Sequence, residues 1–219
     1  ENIIKTLEPT RRFTRRAPDL PGTVDPDRDL AELAEALGMP QPPAVMECFD
    51  ISNLSSNHIV ASMVRFTQGR PDNAAYRRYR IKGVDGQNDF ASMLEVVRRR
   101  YSRIVNESSA LFDKPAGVDT YAWLKELGAQ GKAPIKVPDL VVVDGGKGQL
   151  AIAVQVLAEI GLQQMPVVGL AKRDEEIYLP GQAEPLVLSH ECGALRLLQR
   201  LRDEAHRFGI TFHRKKRSL

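Results

Sequence analysis

The pattern of apolar and polar positions divides the chain into consecutive strands followed by alternating strands and helices. Three strand-like runs open the regular part, at residues 44–51, 59–67 and 75–82, and the turn-forming stretches LSSN and QGRPDN separate them. Strands with such short connections predict an antiparallel meander. Arginine and tyrosine alternate in the third run, which indicates a strand at a sheet edge or one covered on a single side.

Helical spacing follows the meander. Apolar residues three and four apart predict a helix over 89–105, with arginines on its other side. The continuous apolar run 139–143 is typical of a strand covered on both faces, as in a parallel pair at the centre of a sheet. The remaining predicted elements are a helix over 149–160, a strand over 166–171, a hairpin over 177–188, and a helix with Ser189 as N-cap that ends near Phe208. The predicted fold class is α/β: a mixed β-sheet of three antiparallel strands and a β-α-β unit, flanked by helices.

Two segments depart from this pattern. Residues 1–42 are rich in proline, arginine and aspartate, with one short helical stretch at 29–37, so we expect an arm or linker before a single domain at 43–219. Residues 106–137 lack regularity apart from a short helical stretch at 121–127. So long a connection in a compact domain predicts an insertion or a mobile loop.

Composition excludes several classes of protein. Hydrophobic residues make up 42% and charged residues 27% of the chain, as in ordinary globular domains. No apolar run reaches the roughly 18 residues of a membrane span, and the first residues lack the apolar core of a signal peptide. Cys48 and Cys192 provide neither a disulfide framework nor zinc-ligand spacing. We therefore expect a reducing, cytoplasmic location and no membrane contact.

The net charge is only +3, but basic residues cluster in the third strand, in the helix after it, and at 214–217. Such clusters on a nearly neutral chain suit a protein with one face for a polyanion, and solvated surface charge is the alternative.

Two aspartates end predicted strands. Asp50 follows the first strand, and Asp144 follows the continuous apolar run. A carboxylate at the tip of a buried strand needs a cation or hydrogen-bond donors, and two such tips side by side would favour a divalent cation between them. That arrangement predicts a metal site for phosphodiester cleavage. The alternative is that Asp50 caps a turn and Asp144 forms an Asx-turn before the glycines.

Three further residues are candidates for chemistry. The stretch from Asp144 to Gly148 resembles a phosphate-binding loop but fails the pattern GxxxxGK[ST], so we expect its glycines to admit a substrate backbone and Lys147 to meet a phosphate oxygen. His206 shares a face of the last predicted helix with Arg202 and is a candidate metal ligand or general base, or else an ordinary, partly exposed histidine. Asp89 begins a helix, where a cap or first-turn acid is the simpler interpretation.

Five motifs in order resemble one known family. They are ECFDISN (47–53), AYRRYRIKG (75–83), NDFASMLEVVRRRYSR (88–103), PDLVVVDGGKGQL (138–150) and LRDEAHRFGITFHRKKR (201–217). Together they are similar to the endonuclease half of the UvrC family, the C subunits of the bacterial excinuclease. The resemblance runs from about residue 45 to the end of the chain, and residues before it are similar to the segment that precedes that half.

The resemblance implies a ribonuclease H-like fold and the 5′ incision of damaged DNA in bacterial nucleotide excision repair. It implies an Asp-Asp-His site at Asp50, Asp144 and His206, which we expect to hold Mg²⁺ or Mn²⁺, and it places Asp89 at a further acidic position associated with activity. Lys147 and Arg202 are candidates for stabilising the phosphate or the leaving group.

The expected partners are damaged double-stranded DNA and UvrB, including the UvrB–DNA complex that UvrA loads. The chain lacks segments similar to the GIY-YIG-type nuclease and the helix-hairpin-helix module of that family, so we expect a monomeric fragment with weak DNA binding of its own. The rival interpretation is a non-catalytic nucleic-acid-binding or protein-docking module on the same scaffold. The residues predicted to contact DNA are Arg77, Arg78, Arg80, Arg98, Arg99, Arg202, Arg214, Lys215 and Lys216.

Overall fold

The computed structural model describes residues 24–55, 58–83, 88–173 and 175–217, except for the side chains of 53–55, 58 and 212–217. Besides a short 3-10 helix at Asn73–Ala75, five α-helices and seven strands occur in this part of the chain. In chain order they are α1 (Pro26–Leu37), β1 (Val45–Ser55), β2 (His58–Thr67), β3 (Arg70–Pro71), β4 (Arg77–Arg80), α2 (Asp89–Ser109), α3 (Thr120–Ala129), β5 (Leu140–Asp144), α4 (Lys147–Glu159), β6 (Val167–Leu170), β7 (Ile177–Tyr178) and α5 (Gly193–Arg217).

The strands form one mixed sheet with the order β3-β2-β1-β5-β6-β7, and β4 pairs with β2 beyond the end of β3. The pairs β1–β2 and β2–β4 are antiparallel, which confirms the predicted meander. The pairs β1–β5 and β5–β6 are parallel, and α4 connects β5 to β6 as the predicted β-α-β unit. The continuous apolar run is therefore central, and the arginine-rich β4 lies at the edge.

The two faces of the sheet carry two separate cores because side chains alternate along each strand. Phe49 and Val143 point to the face covered by α2, α3 and α4. Cys48 and Val142 point to the opposite face, where α1 and α5 pack. The result is a three-layer sandwich in which even-numbered residues of β1 and β5 face α5.

The first helix shows how local sequence sets an element's limits. The Asp25 side chain accepts a hydrogen bond from the Arg28 amide, and Pro26 occupies the first helical turn. Gly38 ends the helix with a left-handed φ of 65°. Leu30 and Leu33 are buried against the α5 side of the sheet, so this part of the segment expected to be an arm packs on the core.

The last helix differs from its prediction at both ends. It begins at Gly193 rather than after Ser189, and it continues to Arg217 rather than ending near Phe208. The Ser189 hydroxyl instead accepts a hydrogen bond from the Glu191 amide, which stabilises a turn before the helix. The predicted hairpin at 177–188 is reduced to the short β7 and one bridge between Ile177 and Leu186.

The segment 106–137 contains the end of α2 and all of α3. Asp119 caps α3 through the Ala122 amide, and Trp123, Leu124 and Leu127 are buried in the core on the α2 side. Within the described ranges, no helix is long and apolar enough to cross a lipid bilayer.

Candidate functional site

The two aspartates predicted to end strands lie next to each other, but only Asp144 ends a strand. β1 continues past Asp50 to Ser55, so the prediction for Asp50 was wrong: Asp50 instead follows the last residue of β1 that pairs with β5. Parallel β1 and β5 align Phe49 with Val143, so the following positions on the two strands are Asp50 and Asp144. Both have even numbers and therefore point to the α5 face. Asp50 is 3% exposed, and the side chain of Asp144 is 5% exposed. The sheet thus brings two carboxyl groups together in a nearly dry position.

Close contact changes the proton affinity of this pair. The pKa of Asp50 is raised from 3.8 to about 6, mainly by burial and in addition by a hydrogen bond with Asp144 and the charge of Asp144. Lys172 and a hydrogen bond from the Ser52 hydroxyl, at 3.0 Å from Asp50 Oδ2, oppose this increase. Because the pKa of Asp50 is about 6, its carboxyl group is mostly ionised at neutral pH, where the two adjacent carboxylates repel each other and favour a bound cation.

His206 reaches the pair from α5. Its Nδ1 atom lies 3.4 Å from Asp50 Oδ2, and its side chain is half exposed. The structure therefore brings together the three residues expected to form an Asp-Asp-His site. Among the described residues, however, no three His, Cys, Asp or Glu side chains form a ready-made set of metal ligands.

Gly209, three residues after His206, permits the close approach of α5 to the sheet. A Cβ at this position would lie 2.8 Å from Ser52 Oγ, 3.1 Å from Ser62 Oγ and 3.5 Å from Asp50 Oδ2. Because Ser52 binds Asp50, any larger residue at this position would push against the support of the carboxylate. Sequence reasoning did not identify Gly209 or Ser52, since neither belongs to a local pattern that indicates this contact.

A cleft of about 390 Å³ opens beside the two acids, and Asp89 also lines it. Asp89 is the first residue of α2, and Asn88 is the N-cap, with its side chain accepting a hydrogen bond from the Ala91 amide. The third predicted acid therefore faces the same cleft as Asp50 and Asp144. Lys172 and Arg173 supply positive charge on the cleft wall, which the sequence analysis did not anticipate.

Lys172 contacts the site directly. Its Nζ atom lies 2.9 Å from Asp144 Oδ2, and the two carboxylates raise the pKa of Lys172 against the opposing effect of burial. Cys48 is buried beside the same acids. Burial raises the pKa of its thiol well above the ordinary value, and Asp144 and Asp50 raise it further.

The glycine loop after Asp144 packs against aromatic rings. A Cβ at Gly148 would lie 2.5 Å from Cε1 of Phe90, and Lys147 Nζ lies 5.9 Å from the centre of the Tyr178 ring. The absence of a side chain at Gly148 thus leaves room for the Phe90 ring. The expected approach of a substrate backbone to this loop stays a prediction, as does phosphate contact by the exposed Lys147.

The predicted DNA-binding residues are divided among several places. Arg78 lies 3.7 Å from the Phe208 ring centre and donates to the Phe208 carbonyl, while Arg98 and Arg99 on α2 pair with glutamates. Arg77 and Arg80 lie on the exposed edge strand β4. Arg202 is 8% exposed and binds Glu175 and Asp203. The side chains of Arg214, Lys215 and Lys216 lie outside the described residues.

A second buried acid occupies the other face of β1. Glu47 is fully buried and accepts hydrogen bonds from Arg65, Arg100 and the Tyr101 hydroxyl. Burial opposes ionisation, but the two guanidinium groups outweigh it and lower the pKa of Glu47. This cluster joins β1 to β2 and α2 three residues before Asp50, and the sequence analysis did not identify it.

Comparison with known proteins shows which family this chain resembles. The family described as the UvrC RNAse H endonuclease domain matches residues 34–210, which confirms the ribonuclease H-like architecture expected from the sequence. UvrABC system protein C from Thermobifida fusca is 44% identical over all of this chain and 33% of its own length. That from Methanospirillum hungatei is 45% identical over 86% of this chain and 31% of its own length.

The chain thus spans about a third of the length of these relatives. A solved structure of human ENDOV aligns with 80% of this chain and 86% of its own, at 14% identity and a TM-score of 0.41. From its sequence relatives and the matched domain, the chain belongs to the UvrC RNase H endonuclease domain family.

Proposed function

We propose that this chain is a divalent-metal-dependent endodeoxyribonuclease that makes the 5′ incision near a lesion in nucleotide excision repair. The observation that carries the proposal is the contact between Asp50 and Asp144, two buried acids on the neighbouring strands β1 and β5 with the imidazole of His206 beside them. Two adjacent buried carboxylates repel each other, and a cation bound between them would remove that repulsion. Their position on the wall of an open cleft makes that site accessible to a phosphodiester.

The donor set suits Mg²⁺ or Mn²⁺. Asp50 and Asp144 offer carboxylate oxygens, which both ions prefer, and the His206 nitrogen favours Mn²⁺ as the softer of the two. When bound, the cation would supply the Lewis acid that activates water and offsets charge on the phosphate. The Ser52 hydroxyl fixes the orientation of Asp50. His206 either completes the donor set or accepts a proton from the attacking water.

The proposal gives roles to further residues: Asp89 as an acid at the reaction centre, and the basic residues as contacts for the substrate. Asp89 lies on the cleft wall, where its carboxylate is near the proposed reaction centre. Lys147 is exposed at the start of α4 and can meet a phosphate directly. Arg202 would first have to leave Glu175 and Asp203, so it is the less accessible of the two cations. Basic residues on β4 and α2 would follow the duplex backbone without reading its sequence.

The proposed setting is a complex on damaged double-stranded DNA with UvrB, which UvrA has loaded. This part of the proposal rests on the family, because the chain represents about a third of the relatives' length. A DNA-binding or docking module without catalysis is the rival, and it requires no ion at Asp50.

The test is Mn²⁺ binding by calorimetry together with metal-dependent nicking of supercoiled plasmid DNA, using the 219-residue chain. We expect Asp144→Asn and Asp50→Asn to lose saturable Mn²⁺ binding and nicking while they keep the wild-type fold. Asp113→Asn is the matched control, since it removes the same charge from an exposed site after α2. Nicking that survives in Asp144→Asn, or wild-type Mn²⁺ binding in Asp50→Asn, would refute the assignment.

A further inference from the structure

Lys172 places its ammonium against the buried end of Asp144. Nζ lies 2.9 Å from Oδ2, and 56% of the lysine side chain is exposed whereas 5% of the aspartate side chain is. The lysine follows β6 and reaches inward along the cleft wall. It therefore connects a largely solvated stem to a carboxylate that has almost no contact with water.

The carboxylate pair depends on this ammonium for counter-charge. Arg202 also lies near the pair, but its guanidinium binds Glu175 Oε2 at 2.8 Å and Asp203 Oδ1 at 3.1 Å. Asp50 and Asp144 together carry up to two negative charges, and one ammonium offsets one of them. The contact thus stabilises the metal-free site without fully neutralising it.

Building on the proposed function, we propose that the Lys172 ammonium is a resident counter-ion, which a divalent cation must displace from Asp144 before it can bind. The two cations compete because both require the Asp144 carboxylate. Displacement needs no change of fold, since a lysine with a long, exposed stem can turn its ammonium into water. Lys172 therefore sets the metal affinity of the site: it limits repulsion between the acids in the metal-free protein and weakens binding of the ion.

The test compares Mn²⁺ affinities of the 219-residue chain by calorimetry at about 0.15 M salt, where distant charges are screened within roughly 8 Å. We expect Lys172→Gln to bind Mn²⁺ roughly 5- to 50-fold more tightly than wild type, the range allowing for solvent screening of an exposed lysine. Lys172→Arg keeps the charge and should remain closer to wild type than Lys172→Gln. The EDTA-treated Lys172→Gln protein should melt at a lower temperature than wild type, because its acid pair has lost the counter-ion.

Arg173→Gln is the matched control, since it removes one positive charge from the next residue of the same cleft wall. An equal gain in affinity for Arg173→Gln would show that general electrostatics, rather than competition at Asp144, governs binding, and the inference would fall. Unchanged or weaker Mn²⁺ binding by Lys172→Gln would overturn it too, as would unchanged stability of the metal-free variant. If wild type itself bound no Mn²⁺, the proposed function would fail before any variant was compared.

Discussion

Replacing Asp50 with asparagine should make the metal-free protein more stable while it abolishes metal binding. Asp50 is 3% exposed and contacts Asp144, so its ionised form pays for both burial and repulsion. Asparagine has nearly the same shape as the protonated acid, and its amide can donate a hydrogen bond to Asp144. The substitution therefore removes a charge that the folded protein holds poorly and preserves the contact that the neutral acid makes.

The magnitude follows from the pKa of Asp50. Folding raises this pKa from 3.8 to about 6, and each unit of difference corresponds to about 1.4 kcal/mol. Because the folded protein binds this proton more tightly than the unfolded chain does, the destabilisation is absent below the unfolded pKa and complete above the folded one. The asparagine variant should thus gain up to about 3 kcal/mol at pH 8 and less than about 1 kcal/mol at pH 4.

Urea unfolding in EDTA, followed by the fluorescence of Trp123, measures this difference at both pH values. Trp123 is the single tryptophan of the chain and is 6% exposed, so its emission reports loss of the core. The control variant Asp113→Asn should differ from wild type by no more than about 0.5 kcal/mol at either pH. A destabilised Asp50→Asn protein at pH 8, or a gain of equal size at both pH values, would refute the reasoning.

Three further predictions concern the surroundings of the site. Glu47→Gln should cost about 3–5 kcal/mol in urea unfolding, because Arg65 and Arg100 would remain buried without their carboxylate; a cost below about 1 kcal/mol would contradict this. Gly209→Ala should cost about 1–3 kcal/mol and weaken Mn²⁺ binding in calorimetry, since the added methyl group would displace Ser52 from Asp50; wild-type affinity would exclude the mechanism. Mn²⁺ at about 100 times its Kd should stabilise wild type by about 2.7 kcal/mol and leave Asp144→Asn unchanged in thermal melts, and equal stabilisation of both would place the ion elsewhere.

The sequence predicted the sheet well where strands carry a strong periodic signal. Residues 59–67 match β2 closely, and the run at 139–143 corresponds to β5. Residues 44–51 cover only the first part of β1, which continues to Ser55. Two-residue strands such as β3 and β7 are too short to show any period, so they emerge only from pairing with distant partners. Ser189 is a residue type typical of a helix N-cap, but its hydroxyl accepts a hydrogen bond from the Glu191 amide in a local turn, and the helix begins later.

The candidate site was predictable as far as strand geometry determines it. Asp50 and Asp144 follow the aligned pair Phe49 and Val143 on parallel strands, so their proximity follows once those strands are neighbours. The sequence did not show that β1 continues beyond Asp50 to Ser55. The contact of His206 with Asp50 depends on how α5 crosses the sheet, and the five-motif resemblance, rather than any spacing, pointed to it. Lys172 and Gly209 affect the site through contacts with residues that are distant in the sequence, and a local sequence pattern does not reveal such contacts.

Two buried acids on β1, Glu47 and Asp50, differ in how well the fold neutralises their charge. Glu47 is fully buried, yet two guanidinium groups and a tyrosine hydroxyl satisfy it and lower its pKa. Asp50, three residues later on the opposite face, is nearly as buried, and burial together with the neighbouring Asp144 raises its pKa despite the charge of Lys172. The fold therefore neutralises one buried acid with its own arginines and leaves the other short of positive charge beside an open cleft. A site that binds a cation from solution requires such a deficit of positive charge next to an accessible cleft.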